Sequence, residues 1–364
     1  MALNRRALLI GLSGGTAALC SPARAAAAFE PECFAASRMD DRGNSQAALF
    51  TLEGDEQTIE LPGRGHDIAL HPGGDAWVMF ARRPGRFGVA VSLRLEPPIW
   101  FVAKPGRHFF GHGTFSSDGK LLYATENDYE HAAGMIGVRD ATDGYKQIGE
   151  FPARGMEPHD IALLADGRTM AIANGGIRTH PDRGAEELNL ADMQPSLVYV
   201  DVATGDLIEE HRLAPVLHQL SIRHLAVGAD DTVVFGCQYR GPEADEPPLI
   251  GFHRRGEAPV IVDAPAAMQK ALLNYIGSVA ADRSGGIVAA SAPRGGQVTY
   301  WDVASRRYLG ANDLKDGCGL APTHVSASFL LTSGAGWLVT AGPGAPVSRR
   351  ASQFQWDNHA ILVR

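Results

Sequence analysis

The chain has 364 residues, 45% of them hydrophobic and 20% charged, with a formal charge of −8. That balance belongs to a folded globular protein able to bury a large core, and it excludes an intrinsically disordered chain. It also argues against a nucleic-acid partner, because phosphate binding draws on clustered Lys and Arg rather than on an acidic surface.

Residues 1–28 read as an export signal of the twin-arginine (Tat) type. Arg5-Arg6 precede an apolar run from Ala7 to Leu19, and small residues ending in Ala25–Ala28 suit a signal peptidase. The run is short and broken by glycines, so cleavage is expected rather than a membrane anchor. This predicts a periplasmic protein whose residues 29–364 form a single domain, with no membrane span after cleavage. Removal of Arg5, Arg6 and Arg24 takes the charge three units further negative. Cys20 leaves too, so Cys33, Cys237 and Cys318 remain, enough for one disulfide at most or for three small buried thiols.

From Cys33 onward, short apolar runs of strand length alternate with Gly, Asp and Pro turns. "CFAASRMD", "AALFTLEGD" and "QTIELPG" give three strands over residues 33–61. A four-strand unit follows, "HDIALHPGG", "DAWVMFARR", "FGVAVSL" and "IWFVAKPG", and the next runs "HGTFSSDG", "KLLYATEND", "GMIGVRDATDG" and "YKQIGEFPA". The third opens at "PHDIALLADG" and carries an insertion around residues 177–196. The fourth opens near "SIRHLAVGADD", the fifth at "GSVAADRSGG" and the sixth at "THVSASFLLTSG". Four strands in about 45 residues is the grammar of a β-propeller blade. "WDNHAILVR" at the C-terminus supplies the missing strand for the first three, so both termini share one closing blade. The chain is therefore an all-β, seven-bladed β-propeller, with six blades as the alternative because the sixth unit is poorly marked.

Histidine recurs at the head of these units. His66, His112 and His159 are spaced by 46 and 47 residues, and His224, Ser278, His324 and His359 take the same place in the remaining blades. The first strand of a blade lines the central channel, so six of the 13 histidines should share one rim. Converging imidazoles suit a transition metal, iron or copper foremost. Asp67, Glu126, Asn127, Glu157, Asp160 and Asn174 are placed to support them or to join the ligands. Two other readings stay open: histidines that hydrogen-bond within their own blades, as the Gly-His pair of WD-type propellers does, and a polar small-molecule site. No nucleophile elbow, phosphate-cradling loop or haem-attachment motif is present.

The phrases "GRHFFGHGTFSSDGKLLYATEND", "PHDIALLADG", "IANGGIRTHPDRG", "LNLADMQPSLVYVD", "LSIRHLA", "NYIGSVA" and "WDNHAI", in this order over nearly the whole chain, resemble a family of Tat-exported bacterial propellers. This is the domain-of-unknown-function 1513 family, encoded beside imelysin-type iron-uptake proteins and a di-haem thiol-oxidoreductase-like protein. The resemblance implies a periplasmic accessory of iron, or other transition-metal, acquisition, with those two proteins as partners. "FSSDGKLLYAT" is also similar to strands of lactonase-like propellers, which implies a hydrolase as an alternative. A protein-interaction scaffold with structural histidines is the third.

Overall fold

The computed structural model describes residues 31–364, so the export signal and its cleavage site lie outside the described residues. Seven sheets of four antiparallel strands account for the strands described. In six of them the strands follow chain order from first to fourth. In the remaining one the C-terminal strand Gln355–Leu362 is innermost, followed by Phe34–Met39, Ser45–Phe50 and Asp55–Glu60. This is a seven-bladed β-propeller closed by strands from both termini.

The closing pair is bonded along its length. Phe34, Ala35 and Ala36 face Leu362, Ile361 and Ala360, and Cys33 N–H donates to Arg364 O at 2.7 Å while Val363 N–H returns to Cys33 O at 2.7 Å. Joining the ends in one sheet closes the ring of blades and leaves only the short outer strands as edges.

The strands form because their residues suit a pleated surface buried on both sides. Ala76–Ala81 (AWVMFA) and Ser196–Asp201 (SLVYVD) are almost wholly buried, rich in β-branched and aromatic residues, and each sits between two partners in its sheet. Fourth strands such as Asp55–Glu60 and Leu207–Arg212 alternate half-buried and exposed positions, as an outer edge should. Between blades the core is continuous: Trp77, Met79, Val89 and Val91 of one sheet pack with Ala35 and Leu49 of its neighbour. Turns are set by Asp side chains that accept from the backbone just ahead, as Asp140 does from Thr142 N–H at 2.8 Å and Asp201 from Ala203 N–H at 2.8 Å.

Cys33, Cys237 and Cys318 are all free and buried. Of the two readings open for them, the buried thiols are the one seen. Burial raises the thiol of Cys33 to about 11 and that of Cys318 to about 12, out of the range of ready ionisation. Among the described residues, no helix is long and apolar enough to cross a membrane.

Candidate metal centre

The histidines gather because the inner strands bulge where they occur. In the strand Gly65–Leu70, Gly65 faces Ala81 and Ile68 faces Met79, which leaves His66 and Asp67 opposite a single residue. Phe109 and Gly113 bracket three residues ending in His112, and Pro158 and Asp160 bracket His159. The register also slips between Ile222 and His224, and between Trp356 and Ala360 around His359. A bulge bends its strand and re-aims the extra side chain. Bulged residues thus present His66, His112, His159 and His359, whereas in the remaining case the extra residue is Arg223 and His224, paired with Gly236, stands next to it.

The result is a contiguous cluster. His112 has its ring centroid 4.9 Å from His66, 4.8 Å from His159, 5.6 Å from His224 and 4.8 Å from His359. The outer four are also neighbours of one another, at 4.8 Å for His66 and His359, 5.0 Å for His359 and His224, 4.8 Å for His224 and His159, and 6.2 Å for His159 and His66. Gly111 permits the approach of His112. It has φ +106°, and a Cβ there would lie 2.5 Å from His66 Cδ2.

Burial sets the charge of the cluster. Loss of hydration, with the mutual repulsion of neighbouring cations, holds His66, His159 and His224 well below the usual imidazole range, and His359 falls to about 4. These four are neutral near pH 7. His112 differs: burial pulls its pKa down, but Asp160 and Asp67 outweigh that and raise it to about 10. Its Nδ1 lies 3.1 Å from Asp67 Oδ2 and 3.3 Å from Asp160 Oδ1. Asp160 is itself fixed by accepting from Leu225 N–H at 2.8 Å and Ile161 N–H at 2.7 Å.

Several ring nitrogens are buried and find no partner: His66 Nδ1, His112 Nε2, His359 Nε2 and both nitrogens of His224. Buried polar atoms are normally paired, so this concentration calls for a ligand. Two trios bring their donor atoms within 4.8 Å of one another, His66–His112–His359 and His112–His159–His224. They share His112, whose Nδ1 is engaged by carboxylates, so its Nε2 can serve one trio at a time. Arg223 Nη1 donates to His159 Nδ1 at 3.0 Å. Arginine only donates, so neutral His159 carries its hydrogen on Nε2 and has no free lone pair. The first trio therefore fits a cation better. Donors bound at about 2.0–2.1 Å in a tetrahedral site lie roughly 3.3 Å apart, within the 4.8 Å that bounds the donor atoms of this trio. The carboxylate–imidazole pairing at His112 is the usual support for such a ligand.

Beside the cluster is a cavity of about 410 Å³. Asp67, Asp160, His224 and His359 line it together with apolar residues such as Leu70, Val227 and Leu320.

Other residues singled out from sequence take different places. His324 is not in the cluster: the inner strand of its blade is Gly317–Pro322, and His324 lies in the turn beyond it, with its side chain 38% exposed. "THVSASFLLTSG" misleads because it holds that turn and the second strand, Phe329–Ser333, whereas the true inner strand, "GCGLAP", is too rich in small residues to read as one. Glu126, Asn127 and Asn174 serve their own blades instead of the imidazoles. Glu126 pairs with Arg139 at 3.0 Å, Asn127 donates to His108 Nε2 at 3.0 Å, and Asn174 donates to Ser196 Oγ at 3.3 Å and, across to the preceding blade, to Ala153 O at 3.0 Å. Glu157 stands behind His159, bonded to Arg83 at 2.6 Å and Arg223 at 2.7 Å. Ser278, at the ring position of its blade, has its hydroxyl 3.3 Å from His359 Nδ1. Sequence reasoning missed Arg223 and Asp357, the latter buried and held by Arg64 at 2.9 Å and Arg82 at 3.5 Å. Each stands one or two residues ahead of a ring histidine, which is the signal that could have found them.

A second group, Glu209, His211 and His253, also brings donor atoms together. There both nitrogens of His253 are already engaged, by Tyr199 OH at 2.6 Å and Glu257 O at 2.9 Å.

A family model described as "Protein of unknown function (DUF1513)" matches residues 59–363. No curated protein matches the sequence. Among solved structures, a functionally unknown protein from Desulfotomaculum acetoxidans is 12% identical with TM-score 0.62, over 92% of this chain and 99% of that one. Kuenenia stuttgartiensis hydrazine synthase is 13% identical with TM-score 0.58, over 86% and 94%. A chain of the mitotic checkpoint complex is 11% identical with TM-score 0.57, over 96% and 89%. At these identities the likeness is one of fold alone.

Proposed function

The chain belongs to the family of proteins of unknown function DUF1513, and on that footing we propose that it is a metal-binding propeller of the bacterial periplasm, an accessory of iron or other transition-metal acquisition. The observation that carries the reading is the set of buried, unpartnered nitrogens of His66, His112 and His359, with two carboxylates fixed behind His112. Imidazole is a borderline ligand suited to iron, copper or zinc, and three of them with few oxygen donors do not suit calcium. A bound cation would supply a Lewis-acidic or redox-active centre within the bulged rim.

The chain's own residues do the selecting. Burial keeps His66 and His359 unprotonated near neutral pH, ready to donate. Asp67 and Asp160 orient His112 and balance charge brought into the site. Export of an already folded chain by the twin-arginine route fits a protein loaded before it leaves the cytoplasm. The imelysin-like and di-haem oxidoreductase-like partners belong to the same proposal and rest on the family resemblance.

Elemental analysis of protein exported from its native signal tests the reading. About one transition-metal ion per chain is expected, falling to background in the His66→Ala/His359→Ala double variant while the fold survives by circular dichroism. Metal-free wild-type protein that takes up no iron, copper or zinc on titration would remove it. Co-isolation with the imelysin-like protein tests the partner separately.

A further inference from the structure

Behind His159 lies a guanidinium that is only half used. Arg223 is 1% exposed, and its Nη1 serves both Glu157 Oε1 and His159 Nδ1. Its Nε and Nη2 are buried with no partner. These two nitrogens form the side-on fork of the group, whose parallel N–H bonds match the two oxygens of a planar oxyanion. Arginine keeps its proton in proteins, so the fork cannot be silenced by neutralisation, and buried donors left unmade are costly.

Other buried arginines of the propeller do not share this. Arg38 gives Nε to Gln46 and both terminal nitrogens to Asp55. Arg139 uses Nη1 on Tyr145 O and Nη2 on Glu126, leaving Nε alone. Positive charge is also in excess around Arg223. Glu157 Oε1 is shared by Arg83 and Arg223, and Arg240, which contacts Glu187 at 3.3 Å, bears on Arg223 as well. Burial, with the charges of Arg240 and Arg83, lowers Arg223 to about 10 even against the pull of Glu157.

We propose that the Nε–Nη2 fork of Arg223 binds a planar oxyanion, of the carboxylate or carbonate class, and that this anion is taken up jointly with the cation of the imidazole cluster. His159 stands between the two, its Nδ1 held by Arg223 and its ring packed 4.8 Å from that of His112. The joint site rests on the metal-binding reading above. An incoming cation and anion offset each other's charge where neither is well hydrated, which is the physical reason for coupling.

Cupric ion is the probe. Metal-free wild-type protein is titrated near neutral pH in chloride, acetate or bicarbonate, followed by calorimetry and by the electron paramagnetic resonance spectrum of the bound copper. Affinity is expected to rise about tenfold or more over chloride in acetate or in bicarbonate, the two arms telling carboxylate from carbonate. Arg223→Lys should keep the copper stoichiometry and lose the rise. Because that variant can misfold without the Glu157 pair, line broadening of carbon-13-labelled acetate and bicarbonate on zinc-loaded wild-type protein gives an independent reading. Equal copper affinity in all three salts with no broadening overturns the joint site and leaves the metal reading standing. A rise that persists in folded Arg223→Lys overturns the assignment to the fork. Copper that binds in no medium overturns the joint site, and the metal reading falls with it if iron and zinc are refused as well.

Discussion

Five blades of this propeller turn an imidazole toward its centre and two do not, and the contrast shows what builds the cluster. In the blade with inner strand Ser278–Ala281 the register runs without a slip and the ring position holds Ser278. In the blade with inner strand Gly317–Pro322 there is a bulge, but Cys318 and Gly319 occupy it. A Cβ on Gly319 would stand 2.4 Å from Thr332 Oγ1 and 3.2 Å from the backbone carbon of His359. That blade leaves room instead for its neighbour's backbone at His359 and Ala360. An inward imidazole thus goes with a slip of the inner strand and room for the ring, while the blade without a slip offers only the short Ser278 hydroxyl to His359. The cluster is lopsided for this reason, with His359 closing it next to the blade that holds none.

The largest expected break in this comparison comes from His112, common to both trios. His112→Ala should reduce bound metal from about one ion per chain to background, while His324→Ala, from a blade outside the cluster, should leave it unchanged and shift stability by no more than about 0.5 kcal/mol. Metal analysis alongside urea denaturation reads both quantities.

Next in size is the acid response of metal-free protein. Between about pH 6.5 and 4 the unfolded chain takes up protons at His66, His159, His224 and His359 that the folded chain refuses. Their contribution to stability is therefore present above the ordinary imidazole range and is lost as the pH falls, at about 1.4 kcal/mol per pH unit for each imidazole titrating only when unfolded. His112 works in the opposite sense: its contribution is full below about 6.5 and is lost as the pH rises through about 10. Denaturation midpoints should fall steeply on the acid side, and His224→Leu should flatten that slope. A slope unchanged by that substitution would show that the buried imidazoles are not its source.

Gly319→Ala sharpens the same contrast. Overpacking against Thr332 and the His359 backbone should cost about 1–3 kcal/mol, whereas alanine at Gly54, which has open space around it, should cost little. Calorimetry on the two variants tests this.

The smallest effect is in protons. Near neutral pH, Nε2 of His112 holds a proton that a bound cation must displace, so about one proton per metal should be released. Asp67→Asn removes one of the charges that raise His112, and the release should drop, as titration calorimetry in buffers of different ionisation enthalpy would show.

Periodicity alone gave the seven blades, their closure by both termini, and the alignment of His66, His112, His159, His224 and His359. Each strand carries its own pattern of apolar residues and Asp-Gly turns, so a repeat is visible without any knowledge of distance. The acids were another matter. Asp67 and Asp160 meet His112 across blade boundaries, Arg223 reaches His159 and Glu157 across about 65 residues, and Glu126 turns into its own sheet toward Arg139. A side chain's partner depends on the bulge that aims it and on the blade it faces, and those are decided only when distant strands pack. Composition and spacing placed five of the six histidines in the cluster and misplaced His324; tertiary packing alone determines which nitrogens keep a free lone pair there.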